Sequence, residues 1–239
     1  MELVSTIRHD GDGGVVDDLE TVRGAARWLQ RHAEQFGAGE SVVAGELAVR
    51  ELTVGEQAAG EQAAGKCATR DLVVDAELRD AIVGVRRAVR ALFARVVSPD
   101  PPSPADAHRL MPATEALAHL NAAAAREPVV PQLDWPAEGP PVARLLSAEG
   151  DPGVRLVAAL ARDAVDFLGG PERERLRACH APRCVRYFIK SHGRQEWCKP
   201  SCGNRARVAR HYARHEARKD ARQDERTRGA VTDQGPAAR

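Results

Sequence analysis

The sequence predicts a mainly α fold: a helical body over residues 1–170 that includes one β-hairpin, a small cysteine-rich module of hairpin plus helix over 171–219, and a disordered tail over 220–239. Three observations predict it. Aromatic residues make up only 4% of a chain that is 43% hydrophobic, so the core must be built from Ala, Val and Leu, which favours packed helices over sheets. Apolar residues recur at three- and four-residue steps through much of the first 170 positions. Four of the five cysteines fall into two close pairs near the C-terminal end.

The elements follow in order. After a short apolar start (Leu3, Val4, Ile7), Asp17 or Asp18 is placed to cap a helix whose stripe runs through Leu19, Val22, Ala25, Ala26, Leu29 and Ala33, with Trp28 and Phe36 as anchors. A shorter helix is expected over 40–52. Gly55-Glu56-Gln57-Ala58-Ala59 is then repeated as Gly60-Glu61-Gln62-Ala63-Ala64, too short for a repeat architecture and read as a surface-loop expansion. Cys67 has no second cysteine nearby and reads as an ordinary thiol.

Residues 71–97 give the clearest helix, with Leu72, Ile82, Val85, Val89, Leu92 and Val96 on its stripe. The prolines at 99, 101, 102 and 104 end it, and Ser103 or Pro104 is expected to open the next helix, started or kinked at Pro112 and packed through Leu117 and Leu120. Residues 129–135 and 142–146 flank a Pro/Gly turn and predict a hairpin, with Pro131 putting the first strand at an edge. A last body helix spans 151–168 and stops at Gly169-Gly170-Pro171.

Charge is divided unevenly. Residues 171–228 hold 17 Lys plus Arg against 7 Asp plus Glu, a balance of +10, so the rest of the chain carries −9 within a total of +1. An acidic body with a basic binding end is the natural reading. There is no apolar leader behind the charged first residues and no run of the ~20 apolar residues that a membrane span needs, so a cytoplasmic protein is expected. Thiols stay reduced there, which favours metal ligation over disulfides. With no phosphate loop, no dinucleotide fingerprint and no acid–base pair, an enzyme is not expected.

The cysteines carry the chemistry. Cys179 and Cys184 are separated by four residues, Cys198 and Cys202 by three, and the two pairs by thirteen. Tetrahedral zinc takes four soft ligands, and two short loops with two thiolates each supply them; Pro182 and Pro200 help each loop to turn. Buried free thiols, or a histidine (His180, His192 or His211) in place of one cysteine, are the other readings. The expected module is a treble-cysteine zinc finger holding one structural Zn2+. A hairpin would run from Val185–Lys190 back to Glu196-Trp197, with Phe188 and Trp197 covering the metal. So small a unit relies on metal for its folding free energy.

After Cys202, Arg207, Arg210, Arg214 and Arg218 recur on one ridge of a helix suited to phosphate contact, with Val208 and Tyr212 expected to face the zinc module. Asn204 and Arg205 stand at the helix start, where they either reach base edges or respectively cap the helix and brace the knuckle. DNA is the expected partner; RNA, or a purely structural or protein-interaction role, is the alternative.

With Trp197, Cys198, Cys202, Gly203, Asn204 and Arg205 followed by a basic helix, and with Cys179, Cys184 and the pair Tyr187-Phe188 upstream, the sequence resembles the CGNR zinc-finger family of bacterial proteins. In that family the finger follows a helical ABATE domain of stress-induced transcription regulators, and Leu3 to Arg8 and Asp18 to Leu29 are similar to the start of that domain. The resemblance implies a DNA-binding transcription regulator; a homodimer, as regulators of palindromic sites usually need, and an unidentified small-molecule ligand of the body are expected with that role. The chain departs from the family pattern at Ser5, where Asn is usual, at Lys190, where Asp is frequent, and in its shorter hairpin.

Overall fold

The computed structural model describes residues 2–10, 14–37, 48–49, 72–106 and 108–232. The Gly55–Ala64 repeat and Cys67 lie outside them.

The body is organised around α2 (Ala76–Val97). Its start is fixed by Asp75, whose carboxylate accepts the Leu78 N–H at 2.8 Å. The helix therefore begins five residues later than the apolar stripe implied, and Leu72 and Val74 reach the core from outside it, Val74 from a two-residue strand. Leu78, Ile82, Val85, Val89 and Phe93 bury one face, and alanines at 88 and 91 let neighbouring helices come close. α3 (Ala113–Ala125) and α4 (Pro152–Gly169) pack on α2 and on each other. Asp151 caps α4 by accepting from the Gly153 and Val154 N–H groups, as Asp75 does for α2.

Several expectations are corrected. Thr21, not Asp17 or Asp18, caps α1 (Val22–Gly37), accepting the Gly24 N–H at 3.0 Å. Asp17 ends a hairpin of β1 (Ile7–His9) and β2 (Val15–Asp17), and its carboxylate is committed to the Leu19 N–H and to Arg86. Within the stretch read as a helix over 40–52, the described residues Ala48–Val49 form β3, parallel to β4 (Val73–Val74). No helix opens at Ser103 or Pro104, because Ser103 is buried and its polar atoms are engaged elsewhere; α3 starts after Pro112. Leu120 is in the core, whereas Leu117 is exposed. Trp28 is buried as expected.

The predicted hairpin forms from β5 (Val129–Asp134) and β6 (Val142–Ser147), antiparallel from Val129↔Ser147 to Asp134↔Val142. Two arginines on the apolar face of α2 are buried and paired. Arg86 forks onto Asp17, with Nη2 to Oδ2 at 2.6 Å, and Arg90 donates to Asp106 at 2.7 Å. Although burial alone would raise it, hydrogen bonds from Arg86 and from the Leu19 N–H hold the Asp17 carboxyl below the usual range.

Candidate metal centre and basic helix

Two short strands build the base of the C-terminal module. β7 (Leu176–Ala178) pairs antiparallel with β8 (Tyr187–Ile189) in the register Leu176↔Ile189, Arg177↔Phe188 and Ala178↔Tyr187. The first cysteine pair sits in the turn between them. The Cys179 N–H donates to the Arg186 carbonyl at 2.9 Å, and the Cys184 N–H closes onto the Ala181 carbonyl at 2.9 Å. Arg183 takes a left-handed backbone, φ 63°, which reverses the chain just before Cys184. The hairpin thus runs across the first knuckle, not between the two pairs. Glu196 and Trp197 are not strand residues; the strand paired with β8 is Leu176–Ala178.

The second pair spans the start of α5 (Pro200–Thr232). Pro200 occupies the first helical position, where a missing N–H costs nothing, and the Cys202 N–H turns onto the Lys199 carbonyl at 3.0 Å. The four sulfurs converge: all lie within 4.8 Å of one another, with Cys184–Cys198 at 3.6 Å and Cys198–Cys202 at 3.5 Å. A tetrahedron with zinc–sulfur bonds of ~2.3 Å has sulfur–sulfur edges of about 3.8 Å, so these two edges lie within about 0.3 Å of that value and the cluster is of the size that holds a zinc ion. Cys179, Cys184 and Cys202 are buried, and Phe188 and Trp197 pack over them as the sequence implied. A Cβ at Gly203 would lie 3.1 Å from the Trp197 ring, so a larger residue there would press on that cover.

Electrostatics point the same way. With hydrogen bonds from Cys184 and Cys198, the Cys179 thiol is lowered to about 2, whereas Cys184 is raised to about 11 and Cys198 still higher, because both donate to Cys179. Four thiolates this close repel one another, and a divalent cation at their centre offsets that charge. Cys179, Cys184, Cys198 and Cys202 would hold one zinc ion in a closed sulfur shell, a structural site in which the ion ties the hairpin to the helix start.

Arg205 braces this shell, its Nη2 donating to the Cys202 Sγ at 3.2 Å. Asn204 lies inside the helix and accepts from Arg207 Nη1 at 3.0 Å, so it is not the cap. Ala206 is buried, and from Arg207 to Gln223 every side chain is exposed. Val208 and Tyr212, expected against the module, are among them, since the knuckle ends at Ala206 and nothing of it reaches the next turn. Arg207, Arg210, Arg214 and Arg218 share one ridge, and no acidic side chain among the described residues pairs with them. The helix also passes Asp220, where a disordered tail was expected, and runs to Thr232; residues 233–239 lie outside the described ones.

What sequence reasoning missed is how the module is seated. Leu176, Ala178 and Tyr187 belong to the core of the body, and Tyr187 meets Phe93 edge-on at 5.6 Å. Arg90 ties the two parts together: its guanidinium donates to the Val4, Val185 and Ser103 oxygens as well as to Asp106, and lies 5.3 Å from the Tyr187 ring. The Ser103 hydroxyl donates to the Val185 carbonyl at 2.8 Å, and the Tyr187 hydroxyl to Asp106 at 2.9 Å. Burial and the Asp106 charge raise the Tyr187 phenol well above its ordinary value, so it remains a donor. The one available signal was a pair of arginines, Arg86 and Arg90, recurring on an otherwise apolar helix stripe.

Four converging thiols on a hairpin and a helix start, seated on a helical body, define a zinc-finger protein. Comparison with known families makes this specific: residues 1–171 match the ABATE family, described as "Putative stress-induced transcription regulator", and residues 175–215 match the CGNR zinc finger. The chain belongs to the ABATE family and carries a CGNR zinc finger, whose letters are Cys202, Gly203, Asn204 and Arg205. No curated protein matches it. No helix among the described residues is long and apolar enough to cross a membrane.

Proposed function

We propose that this protein is a bacterial, cytoplasmic transcription regulator that binds DNA, and not an enzyme: zinc fixes the start of α5, and the exposed ridge of α5 contacts phosphates. One observation carries the reading. Beyond the buried Ala206, α5 continues for about 40 Å, at ~1.5 Å per residue, with four arginines on one side that no acidic side chain among the described residues pairs with. A helix polar all round has no core to bury, and a cationic ridge on it matches a polyanion. Glu216, the acid nearest the middle of the ridge, is engaged by Lys219. Tyr212 is the one Phe, Tyr or Trp on α5, which favours duplex DNA over base stacking on single-stranded RNA. The small-molecule ligand expected of the body would have a cleft of about 270 Å³ between the starts of α2 and α4, lined by Leu72, Leu78, Val157 and Arg126.

The test is fluorescence anisotropy with random-sequence duplex DNA over a salt series. Each phosphate contact contributes about −0.9 to the slope of log affinity against log salt. Arg210→Ala combined with Arg214→Ala should weaken binding to all sequences alike and flatten the slope by about 2. An unchanged slope removes these residues from the interface. A second reading, that the module is a structural closure of the body, is favoured by the place of Tyr187 in the core; it predicts no DNA retention at any salt concentration in the series.

A further inference from the structure

Past the knuckle, α5 carries a second stripe beside its arginine ridge. At about 3.6 residues per turn, Val208, His211 and His215 fall within about 60° of one another, next to the side that holds Arg207, Arg210, Arg214 and Arg218. Tyr212 lies on the other flank of this stripe. The buried positions, Cys202 and Ala206, lie roughly opposite it, so the stripe points away from the zinc module. Its side chains are not spent on the fold. Val208 is 53% exposed, with no apolar neighbour on its stripe to bury it. His211 meets the Tyr212 ring edge-on, centroids 6.0 Å apart. Glu216 stands 3.8 Å from the His215 Nδ1, beyond hydrogen-bond reach, and is engaged by Lys219.

We propose that this second stripe reads sequence: with α5 in the major groove, Val208, His211 and His215 face the base edges while the arginine ridge follows the phosphates of one wall. The inference rests on DNA binding by α5 and names the side of the helix that carries specificity. The major groove is about 12 Å wide and admits an α-helix, and every side chain of α5 from Arg207 to Gln223 is exposed and open to it. From Val208 to His215 the helix rises about 10 Å, the height of about three base pairs. The residue types suit base edges. A branched apolar side chain fits the thymine methyl, and an imidazole offers a hydrogen-bond donor and an acceptor to the purine N7 and its neighbours. The flanks suit the backbone: arginines on one side and the Tyr212 hydroxyl on the other can hold phosphates, which fixes register without selecting sequence.

The test selects a preferred duplex from a random-sequence pool with the full-length, zinc-loaded chain. Affinity for that duplex is then compared with affinity for random-sequence duplex over a salt series at pH 8. Val208→Ala combined with His211→Ala and His215→Ala should lower the ratio of the two affinities by about tenfold or more. Its salt slope on random duplex should stay that of the wild type, since no lysine or arginine is removed. Zinc content and helical circular dichroism should not change, because all three side chains are exposed. Arg210→Ala with Arg214→Ala should do the reverse, flattening the slope and keeping the preferred sequence. A triple variant that keeps the wild-type ratio overturns the proposal, as does a wild-type chain that binds DNA without any preferred sequence. A wild-type chain that retains no DNA at any salt concentration removes the DNA-binding reading itself, and this inference with it.

Discussion

The two ends of the zinc module differ more than its two cysteine pairs do. At the first pair, the strands on either side are walls of the body: Leu176, Ala178 and Tyr187 are core residues, and Arg90 reaches from α2 to the Val185 carbonyl. At the second pair, only Cys202 and Ala206 are buried among the described side chains of the helix, and those from Arg207 to Gln223 are all exposed. The module is therefore not a bead on a string. It is a corner of the body from which a helix is projected, and stability and binding should depend on separate sets of residues.

Breaking the anchored end should have the largest effect. Structural zinc in finger peptides is worth about 10–16 kcal/mol, and here the hairpin it holds also completes the body. Cys202→Ser, or chelation of the native protein, is expected to lower the calorimetric melting temperature of the whole chain, not to release a small separate transition. A body that melts unchanged without zinc would show the seating to be unimportant. Next comes Arg90→Ala. It leaves Asp106 buried without its cation and should cost about 3–5 kcal/mol in urea unfolding. All four thiols remain, so the zinc content should stay the same.

The anchored end is also where the sequence was least legible. The cysteine pairs, their knuckles, the flanking Phe188 and Trp197 and the basic ridge are local in the chain, and spacing alone disclosed them. The clasp joins Arg90 to residues 13 to 95 positions away, and no periodicity reports such a pairing. The hairpin was misassigned for the same reason: the strand paired with β8 lies before Cys179, outside the interval between the cysteine pairs. α1 was capped one turn too early because Asp17, a good cap by type, is drawn away by Arg86, a residue 69 positions on. Length of α5 was underestimated because polar composition was read as disorder, although arginine, alanine and glutamate are good helix formers.

A smaller effect follows from Asp17. Its folded-state value is depressed, so its pairing with Arg86 stabilises the protein above the unfolded value of about 3.9 and is lost as pH falls through the folded one. Stability measured by urea unfolding should decline on acidification below about pH 4, and less so in Asp17→Asn. Equal decline in both proteins would assign the effect to other carboxylates. The smallest effect on stability belongs to the free end. Arg210→Ala with Arg214→Ala should change unfolding by no more than about 0.5 kcal/mol while flattening the salt dependence of DNA affinity. Loss of stability in that variant would mean that the ridge is packed, not projected.

The most direct measurement is the zinc content of the full-length protein purified under reducing conditions, by elemental analysis, for the wild type and for Cys202→Ser. Four thiols within 4.8 Å of one another predict about one zinc per chain in the wild type and its loss in the variant. Wild-type protein without zinc, or a variant that keeps it at full stoichiometry, would contradict the four-cysteine site on which the rest is built.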